Sequence, residues 1–389
     1  MEFVRVGVIG IGNIGSVHTK CIAEGKVKGL RLSALCDIKE EKGASLRESY
    51  AVPFFTDYKE LITSGLCDAV IISTPHKFHS QIAEYALTNG LHVLSEKPID
   101  ISVSKAERLN ALAKQSDRVF GVMFNQRTNF LFQKAREIVK SGALGELKRS
   151  VWIITNWYRT QSYYDSGDWR ATWSGEGGGV LLNQAPHNLD LWQWICGMPV
   201  EINASCDIGK YHHIEVEDDV TLFARYENGA TGVFITSTGE YPGTNRLEIS
   251  GSLGKLVLEN GLLKWWRLSE SEREICFSSP SNCPTIGSEY EEFSADAPET
   301  AHRGILQNFT NAILFGEELL APGTDGIFEL SISNAAYLSS KSGRPVSIPV
   351  DGAAFDALLN SLCDGSALKK SDKTTEQNET YSNRWKVNW

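Results

Sequence analysis

Two hydrophobic grammars divide the chain. From Met1 to about Met123, short aliphatic and β-branched runs alternate with segments whose apolar residues return every three or four positions. The runs at 3–9, 30–36, 69–73, 91–95 and 119–124 have the length and composition of buried strands, while 14–25, 39–50, 77–89 and 103–116 carry the helical period. Strands that alternate with helices pair in parallel through right-handed crossovers, so residues 1–124 are expected to form a doubly wound α/β domain of the Rossmann type. In such a sheet, ligands bind beyond the carboxyl ends of the strands. Three segments fall there: Gly10 to Gly15, Ser73-Thr74-Pro75 and Ser95-Glu96-Lys97-Pro98.

The second grammar follows a helix expected at about 130–141. Long β patterns lie at 147–158, 200–211, 220–226, 231–238, 245–250 and 255–259, with turns such as Glu227-Asn228-Gly229 and Ser252-Leu253-Gly254. Helices are expected near 183–196, 301–316 and 325–341. Residues 125–389 therefore read as an α+β domain built on a large open antiparallel sheet. Helices cover one face of such a sheet, and the flat second face is expected to be buried in a homodimer or homotetramer. The polar stretch from about Leu368 to Asn383 reads as an extended tail, yet the chain ends in Trp385 and Trp389. Two exposed indoles are costly, so the tail is expected to dock, on a neighbouring subunit.

The first forty residues carry the chemistry of a cofactor site. The strand pattern at 3–9 runs into Gly10-Ile11-Gly12-Asn13-Ile14-Gly15, and the second strand pattern ends at Asp37, 22 residues after Gly15. Gly10 permits a tight turn, Gly12 lets the backbone approach a pyrophosphate, and Gly15 lets the following helix pack on the sheet. The helix start at Asn13 and Ile14 turns unpaired amides toward the phosphates. A carboxylate at the tip of the second strand accepts hydrogen bonds from both hydroxyls of an adenosine ribose, which selects NAD.

Composition narrows the remaining classes. The 389 residues carry a net charge of −10, which opposes a nucleic-acid backbone. No apolar run reaches the roughly 20 residues that span a bilayer. The first expected strand starts within a few residues of Met1, which leaves no room for a signal or transit peptide. The eight cysteines, at 21, 36, 67, 196, 206, 276, 283 and 363, show no CxxC spacing and read as reduced thiols of a cytoplasmic protein.

Taken together, Gly10 to Gly15, Thr74-Pro75 with His79 four residues on, Gly90-Leu91-His92-Val93-Leu94-Ser95-Glu96-Lys97-Pro98, and Gly177-Gly178-Gly179 leading to Asn183 and His187 resemble the Gfo/Idh/MocA oxidoreductases. The resemblance covers roughly residues 3–350, including Ser342-Gly343-Arg344-Pro345-Val346. Within that family, Asp168-Trp169-Arg170, Glu176-Gly177-Gly178-Gly179 and Asn183 to Asp190 look like a sugar or glucoside dehydrogenase subgroup. The resemblance implies a two-domain enzyme in which Lys97 donates to the oxygen at the carbon exchanging hydride. It places the catalytic histidine at His187, where an imidazole of ordinary pKa about 6.5 takes the substrate proton. Many members carry aspartate where this chain has Asn183. An amide orients substrate but cannot act as a base, so the proton chemistry falls to His187 with Lys97. Four residues apart, Asn183 and His187 would share a helix face. Asp190, one turn on, would set the imidazole tautomer or hold structure. Ser73, Thr74, Pro75, His79, Glu96, Lys97, Asn125 and Arg170 join Gly10, Gly12, Asn13, Ile14 and Asp37 as expected cofactor contacts. Arg127 is expected at the substrate.

Trp157, Tyr158, Tyr163, Tyr164, Trp169 and Trp173 cluster before the glycine run. Aromatic faces match the C–H faces of a pyranose, and Trp157, Tyr163 and Trp173 are taken as the pocket wall. Trp192 and Trp194 read as core. A metal reading has one candidate, His212 to Asp219, in which alternation would put His213, Glu215 and Glu217 on one strand face. Carboxylates dominate there, so a solvated or interface strand is the better reading and no metal is expected.

The sequence thus reads as an NAD-dependent oxidoreductase acting on a secondary alcohol of a sugar, glycoside or cyclitol. Two alternatives stay open: an NAD-dependent glycosidase or epimerase that oxidises the ring transiently, and a dinucleotide-dependent sensor without catalysis. The cofactor reading makes a direct prediction. NAD should be clearly preferred over NADP, because a 2′-phosphate meets like charge at Asp37, and Asp37→Ser should erode the preference; equal or better turnover with NADP in the unsubstituted protein overturns the assignment.

Overall fold

The computed structural model describes residues 2–167, 169–295 and 300–365. Asp168 and the tail with Trp385 and Trp389 lie outside the described residues, so the expectation that this tail docks finds no test here. The described chain divides into two compact units.

The first unit takes in residues 1–128, 175–177 and 300–330, so it is not the single stretch 1–124 that the pattern delimits. Its sheet has six strands, β1 (Val4–Ile9), β2 (Leu30–Cys36), β3 (Phe54–Phe55), β4 (Ala69–Ile72), β5 (His92–Ser95) and β6 (Phe120–Val122), in the order β3-β2-β1-β4-β5-β6. Every pairing is parallel. The continuous apolar runs have the burial they imply: all of β4 and the residues Val4, Val6 and Val8 of β1 are shielded from solvent. Strand β3 has only two residues, too few for any period to show. The return of 300–330 has a packing cause. Ile305, Leu306 and Phe309 of the helix Ala301–Phe315 join Val4, Val6, Val8 and Ile71 in one apolar cluster.

The second unit carries nine strands: β7 (Leu147–Ile154), β8 (Glu201–Ile208), β9 (Glu217–Arg225), β10 (Thr231–Ser237), β11 (Asn245–Gly251), β12 (Gly254–Glu259), β13 (Leu262–Leu268), β14 (Ser288–Ser294) and β15 (Val346–Ser347). Their order is β14-β13-β12-β11-β7-β10-β9-β8-β15. The pairings are antiparallel except that β7 and β10 run parallel, so the sheet is mixed rather than wholly antiparallel. Alternation along β10 buries Phe234 and Thr236 and leaves Val233 and Ile235 half-exposed. On the buried face, Trp192 packs at 5.6 Å from the Phe234 ring and Trp152 at 6.1 Å from it. Gly232 is required there, since a Cβ would lie 2.5 Å from the Trp192 ring. Trp192 is core, as expected, and donates to Ser150 Oγ at 3.0 Å; Trp194 is half-buried beneath Arg136. The other face shows half-buried Val151, Ile153, Phe223, Val233 and Ile235 beside Arg246 and Glu248.

One boundary changes the site. The helix expected from 183 begins at Pro186, and 181–184 are turns closed by Asn183 N–H donating to Gly179 O at 3.0 Å. Pro186 suits the first helical position, where its missing N–H costs nothing. Asn183 and His187 therefore do not share a helix face by periodicity. Among the described residues, no helix is long and apolar enough to cross a membrane.

Candidate functional site

At the carboxyl edge of the first sheet, the glycine turn is shaped by contact with the loop after β4. Gly10 has φ +90°, and a Cβ on it would lie 2.7 Å from Ser73 O and 2.9 Å from Thr74 N. Ser73 Oγ closes the junction by donating to Gly10 O at 3.2 Å. A Cβ on Gly15 would strike Gly10 O, so the helix Asn13–Ala23 packs backbone to backbone against the turn. Gly12 differs: a Cβ there would meet nothing within 4 Å. The helix has no side-chain cap, and its first-turn amides lack intrahelical acceptors. Open space beside uncapped amides is what a pyrophosphate needs.

Asp37 stands at the tip of β2, nearly buried. Its Oδ2 accepts from Ile11 N–H at 2.9 Å and from Lys42 Nζ at 2.7 Å, and its Oδ1 accepts from Lys39 N–H at 3.0 Å. Lys42 also donates to Ile11 O at 2.8 Å. The sequence reading passed over Lys42; its place in the turn Glu40–Lys42, which folds back over the glycine turn, is a tertiary result.

Three more polar atoms along this edge suit a cofactor. Thr74 Oγ1, Asn125 Oδ1 and Gln126 Oε1 are buried without a hydrogen-bond partner, a state whose cost a ligand donor would relieve. With the open Gly12 and Asp37, they show that the residues present fit a dinucleotide. His79 has a different place from the one expected. Its ring nitrogens lie 2.7 Å from Thr74 O and 2.7 Å from Pro98 O, so it ties two loops together and is a support for the cofactor site rather than a contact. Pro75 precedes the turn His76–Phe78.

Glu96 follows β5, and its Oε1 is 2.7 Å from His18 Nε2. Burial would raise Glu96, but the His18 hydrogen bond and the charges of His18, His302 and Lys97 outweigh it and hold the carboxyl below its usual range. His302 stacks edge-on with His18 at 5.5 Å, and burial pushes it down to about 4. Lys97 is only 8% exposed. His18 and His302 were missed by the sequence reading; His18, three residues after Gly15, gave the only local signal. Arg127 is moved from the substrate to the scaffold: its guanidinium donates to Asp325 Oδ2 at 2.7 Å and Leu320 O at 3.1 Å and is wholly buried.

In the second unit, the segment leading to Asn183 and His187 is held by a buried carboxylate. Glu217 Oε2 accepts from Gly179 N–H at 2.9 Å, its Oε1 accepts from Leu181 N–H at 2.9 Å and from Tyr337 Oη at 2.8 Å, and Glu217 O accepts from Val180 N–H at 3.0 Å. This explains the glycines. A Cβ on Gly178 would strike Tyr337 Oη, and one on Gly179 would strike Glu217 O. Gly177, at φ +81°, would place a Cβ 2.5 Å from Ile101 Cγ2. The run serves the protein's own packing, which the sequence reading did not foresee. Burial pushes Glu217 up to about 7 against the pull of Leu181, Tyr337 and Gly179.

That finding corrects the reading of residues 212–219. Glu217 and Asp218 are fully buried, and no solvated strand face unites His213, Glu215 and Glu217, because β9 only begins at Glu217. Asp218 accepts from the amides of Lys210, Tyr211 and His212 and lies 2.8 Å from His212 Nδ1. Among the described residues, no group of three or more His, Cys, Asp or Glu is placed to hold a metal.

The aromatic wall is smaller than expected. Trp157 is fully buried and Trp173 packs edge-on at 5.4 Å from Tyr337, so both are core. Tyr163 stays half-exposed, and its hydroxyl accepts from Arg170 at 2.9 Å and from Gln184 Nε2 at 3.2 Å. The Arg170 guanidinium lies 4.7 Å from the Tyr163 ring and 4.6 Å from the Trp169 ring. This polar, aromatic patch is what remains of the expected wall. His187 and Asn188 begin the helix Pro186–Cys196, and both are buried; Asn188 has neither side-chain atom hydrogen-bonded. Asp190 Oδ1 accepts from Gln193 Nε2 at 3.0 Å.

Residues 4–124 match the oxidoreductase family with an NAD-binding Rossmann fold, and residues 132–257 match the GFO/IDH/MocA C-terminal domain. The chain is 26% identical over 354 residues to a myo-inositol 2-dehydrogenase of Thermotoga maritima, covering 89% of this chain and 98% of that one. It is 23% identical to an inositol 2-dehydrogenase of Rhizobium meliloti, covering 89% and 99%. The fold is similar to the WlbA dehydrogenase of Bordetella pertussis, solved with NADH and UDP-GlcNAcA, with a TM-score of 0.74, 24% identity and coverage of 90% and 100%. It is similar also to levoglucosan dehydrogenase solved with NADH and levoglucosan, with a TM-score of 0.72, 21% identity and coverage of 89% and 99%.

The Glu217 clamp has a measurable signature. A carboxyl whose native pKa is raised from about 4.3 gives its full stabilisation below that value and loses it as the pH climbs toward 7. The melting temperature of the unsubstituted protein, taken relative to Glu217→Gln, should therefore fall by several degrees between pH 5 and pH 8. A difference that stays constant across that range overturns the buried, proton-holding Glu217.

Proposed function

Because the chain belongs to the Gfo/Idh/MocA oxidoreductase family and is an NAD-binding oxidoreductase, we propose that it is a dehydrogenase for a secondary alcohol of a sugar, glycoside or cyclitol, in the sugar or glucoside dehydrogenase subgroup. The observation that carries this reading is the edge of the first sheet. There the open Gly12, the ribose-side Asp37 and the nearly buried Lys97 follow three of its strands. Relatives named as inositol dehydrogenases, and a neighbour solved with levoglucosan, support a polyhydroxylated ring as the substrate class.

NAD, when bound, supplies the hydride acceptor. Gly10 closes the turn against the loop after β4, Gly12 leaves room for the pyrophosphate, the amides of Asn13 and Ile14 receive it, and Asp37 takes the adenosine ribose. Ser73, Thr74, Pro75, Glu96 and Asn125 line the way to the reacting end. Lys97 donates to the substrate oxygen and stabilises negative charge as the C–H bond gives up hydride. His187 accepts the hydroxyl proton, so the alcohol leaves as a carbonyl with both hydrogens accounted for. Asn183 orients the substrate through its amide. Tyr163, with Arg170 and Gln184 around its hydroxyl, offers a ring face and polar donors to a sugar.

We propose further that the protein is a homodimer or homotetramer joined through the open face of the nine-stranded sheet, where Val151, Ile153, Phe223, Val233 and Ile235 stay half-exposed. Sedimentation at micromolar concentration should show an assembly larger than the 43.0 kDa chain, and a stable monomer overturns the covered-sheet argument.

The catalytic reading is tested by NADH absorbance across a panel of sugars, glycosides and inositols, followed by substitution. A transient user of NAD would convert substrate without net NADH, which overturns the dehydrogenase reading. Lys97→Met should leave NADH affinity nearly intact and lower turnover by about 100-fold or more. His187→Ala should do likewise and remove the low-pH limb of the rate profile. Asn183→Ala should chiefly raise KM, and Asn183→Asp should keep activity with a shifted pH optimum. Loss of turnover in Asn183→Ala with a nearly silent His187→Ala reverses these roles.

A further inference from the structure

We propose that Lys42 is a cofactor-specificity residue that lets this chain take NADP alongside NAD. The inference rests on Asp37 being the ribose-side carboxylate and concerns what has been placed against it. A carboxylate alone in that position rejects a 2′-phosphate twice over, through like charge and through loss of the paired hydroxyl contacts. Asp37 is not alone. Lys42 Nζ sits 2.7 Å from its Oδ2, and the amides of Ile11 and Lys39 occupy Oδ2 and Oδ1 at 2.9 Å and 3.0 Å.

The consequences for the two cofactors are opposite in sign. A ribose with two free hydroxyls must share a carboxylate that already has three donors, so the gain from binding NAD is reduced. A 2′-phosphate arriving at the same place meets an ion pair whose opposite charges largely cancel at its distance. It also meets a usable donor. An ammonium has three protons, and Lys42 directs two of them, to Asp37 Oδ2 and to Ile11 O at 2.8 Å, which leaves a third. The Lys42 side chain is 34% exposed against 9% for Asp37, so the cation is the part of the pair that solvent and ligand can reach.

The neighbouring charges make Lys42 decisive. Glu40 and Glu41 are exposed in the same turn, so with Asp37 three acidic residues fall within five positions of the chain there. Lys39 is exposed too, but the contact it makes with Asp37 is through its amide, which any residue supplies. Lys42 is the residue whose charge is held in contact with the carboxylate, and its contact to Ile11 O fixes it against the glycine turn. The expected NAD preference at Asp37 therefore survives but is narrowed.

The test is direct binding of NADH and NADPH to the full chain, read from the fluorescence of each reduced nucleotide. Lys42→Met should raise the ratio of the NADPH Kd to the NADH Kd by about 10-fold or more, with the change mostly in NADPH, and should remove most of the salt dependence of NADPH binding. Lys42→Arg, which keeps the charge, should hold the ratio within about 3-fold, and so should Lys39→Met, which removes a charge that does not touch Asp37. A ratio unchanged in Lys42→Met, an equal change in Lys39→Met, or an unsubstituted protein that fails to bind NADPH at millimolar concentration overturns the proposal. Asp37→Ser separates the two layers. If it shifts the ratio while Lys42→Met does not, the Asp37 reading stands and the role of Lys42 fails; if it leaves both affinities unchanged, the Asp37 reading itself fails.

Discussion

Carboxylates that accept the amides of irregular backbone are the constraint on which both units depend. A loop that leaves a sheet edge carries N–H groups with no ladder to pair them, and burying such groups unpaired is costly. Four of the acids among the described residues show how that cost is avoided. Asp37 accepts from Ile11 and Lys39, Asp100 from Ile101 and Ser102, Glu217 from Gly179 and Leu181, and Asp218 from Lys210, Tyr211 and His212. Asp37, Asp100 and Glu217 hold backbone close in sequence to residues with proposed roles, namely the glycine turn, Lys97 and Asn183. The backbone beside the proposed site is thus held by anchors one step removed from the proposed chemistry.

The anchors differ in how their charge is met. Asp218 has His212 beside it and lies below the usual carboxylate range although burial pulls the other way. Glu96 is held low in the same way by His18. Glu217 faces two amides and a tyrosine hydroxyl with no cation among those donors, and burial wins. Asp100 lies above its usual value too, since Lys105 at 3.7 Å and the hydrogen bonds of Ser80, Ile101 and Ser102 do not offset its burial. The two lowered carboxyls each have a histidine nitrogen at hydrogen-bond distance, and the two raised ones do not. Asp37 is met by a lysine instead, with Lys42 Nζ 2.7 Å from its Oδ2.

The two glycine-rich segments show the same packing limit from the other side. Gly10 and Gly15 allow backbone to meet backbone between β1, the loop after β4 and the first helix, and Gly178 and Gly179 allow the chain to close on Tyr337 and Glu217. Of Gly10, Gly12, Gly15, Gly177, Gly178 and Gly179 in these two segments, Gly12 alone faces open space. In a fold that serves many substrates, glycines of the first kind preserve the frame and a glycine of the second kind admits the ligand.

The sequence by itself determined the parallel sheet, the positions of five of its six strands to within a few residues, the glycine turn, the acid at the tip of β2 and the family to which these belong. Those features are local: period, turn chemistry and spacing are written in adjacent residues. It also placed a long β region after residue 147, for the same reason. Only the tertiary structure decided that β7 and β10 pair in parallel, that residues 300–330 return to the first unit, and that the helix before His187 starts at Pro186. It alone turned Arg127 toward Asp325, buried Trp157, put His79 between two carbonyls and set Lys42 on Asp37. Each of these depends on a partner far along the chain or on how a turn folds back, and a side chain's chemistry permits several such partners until packing selects one.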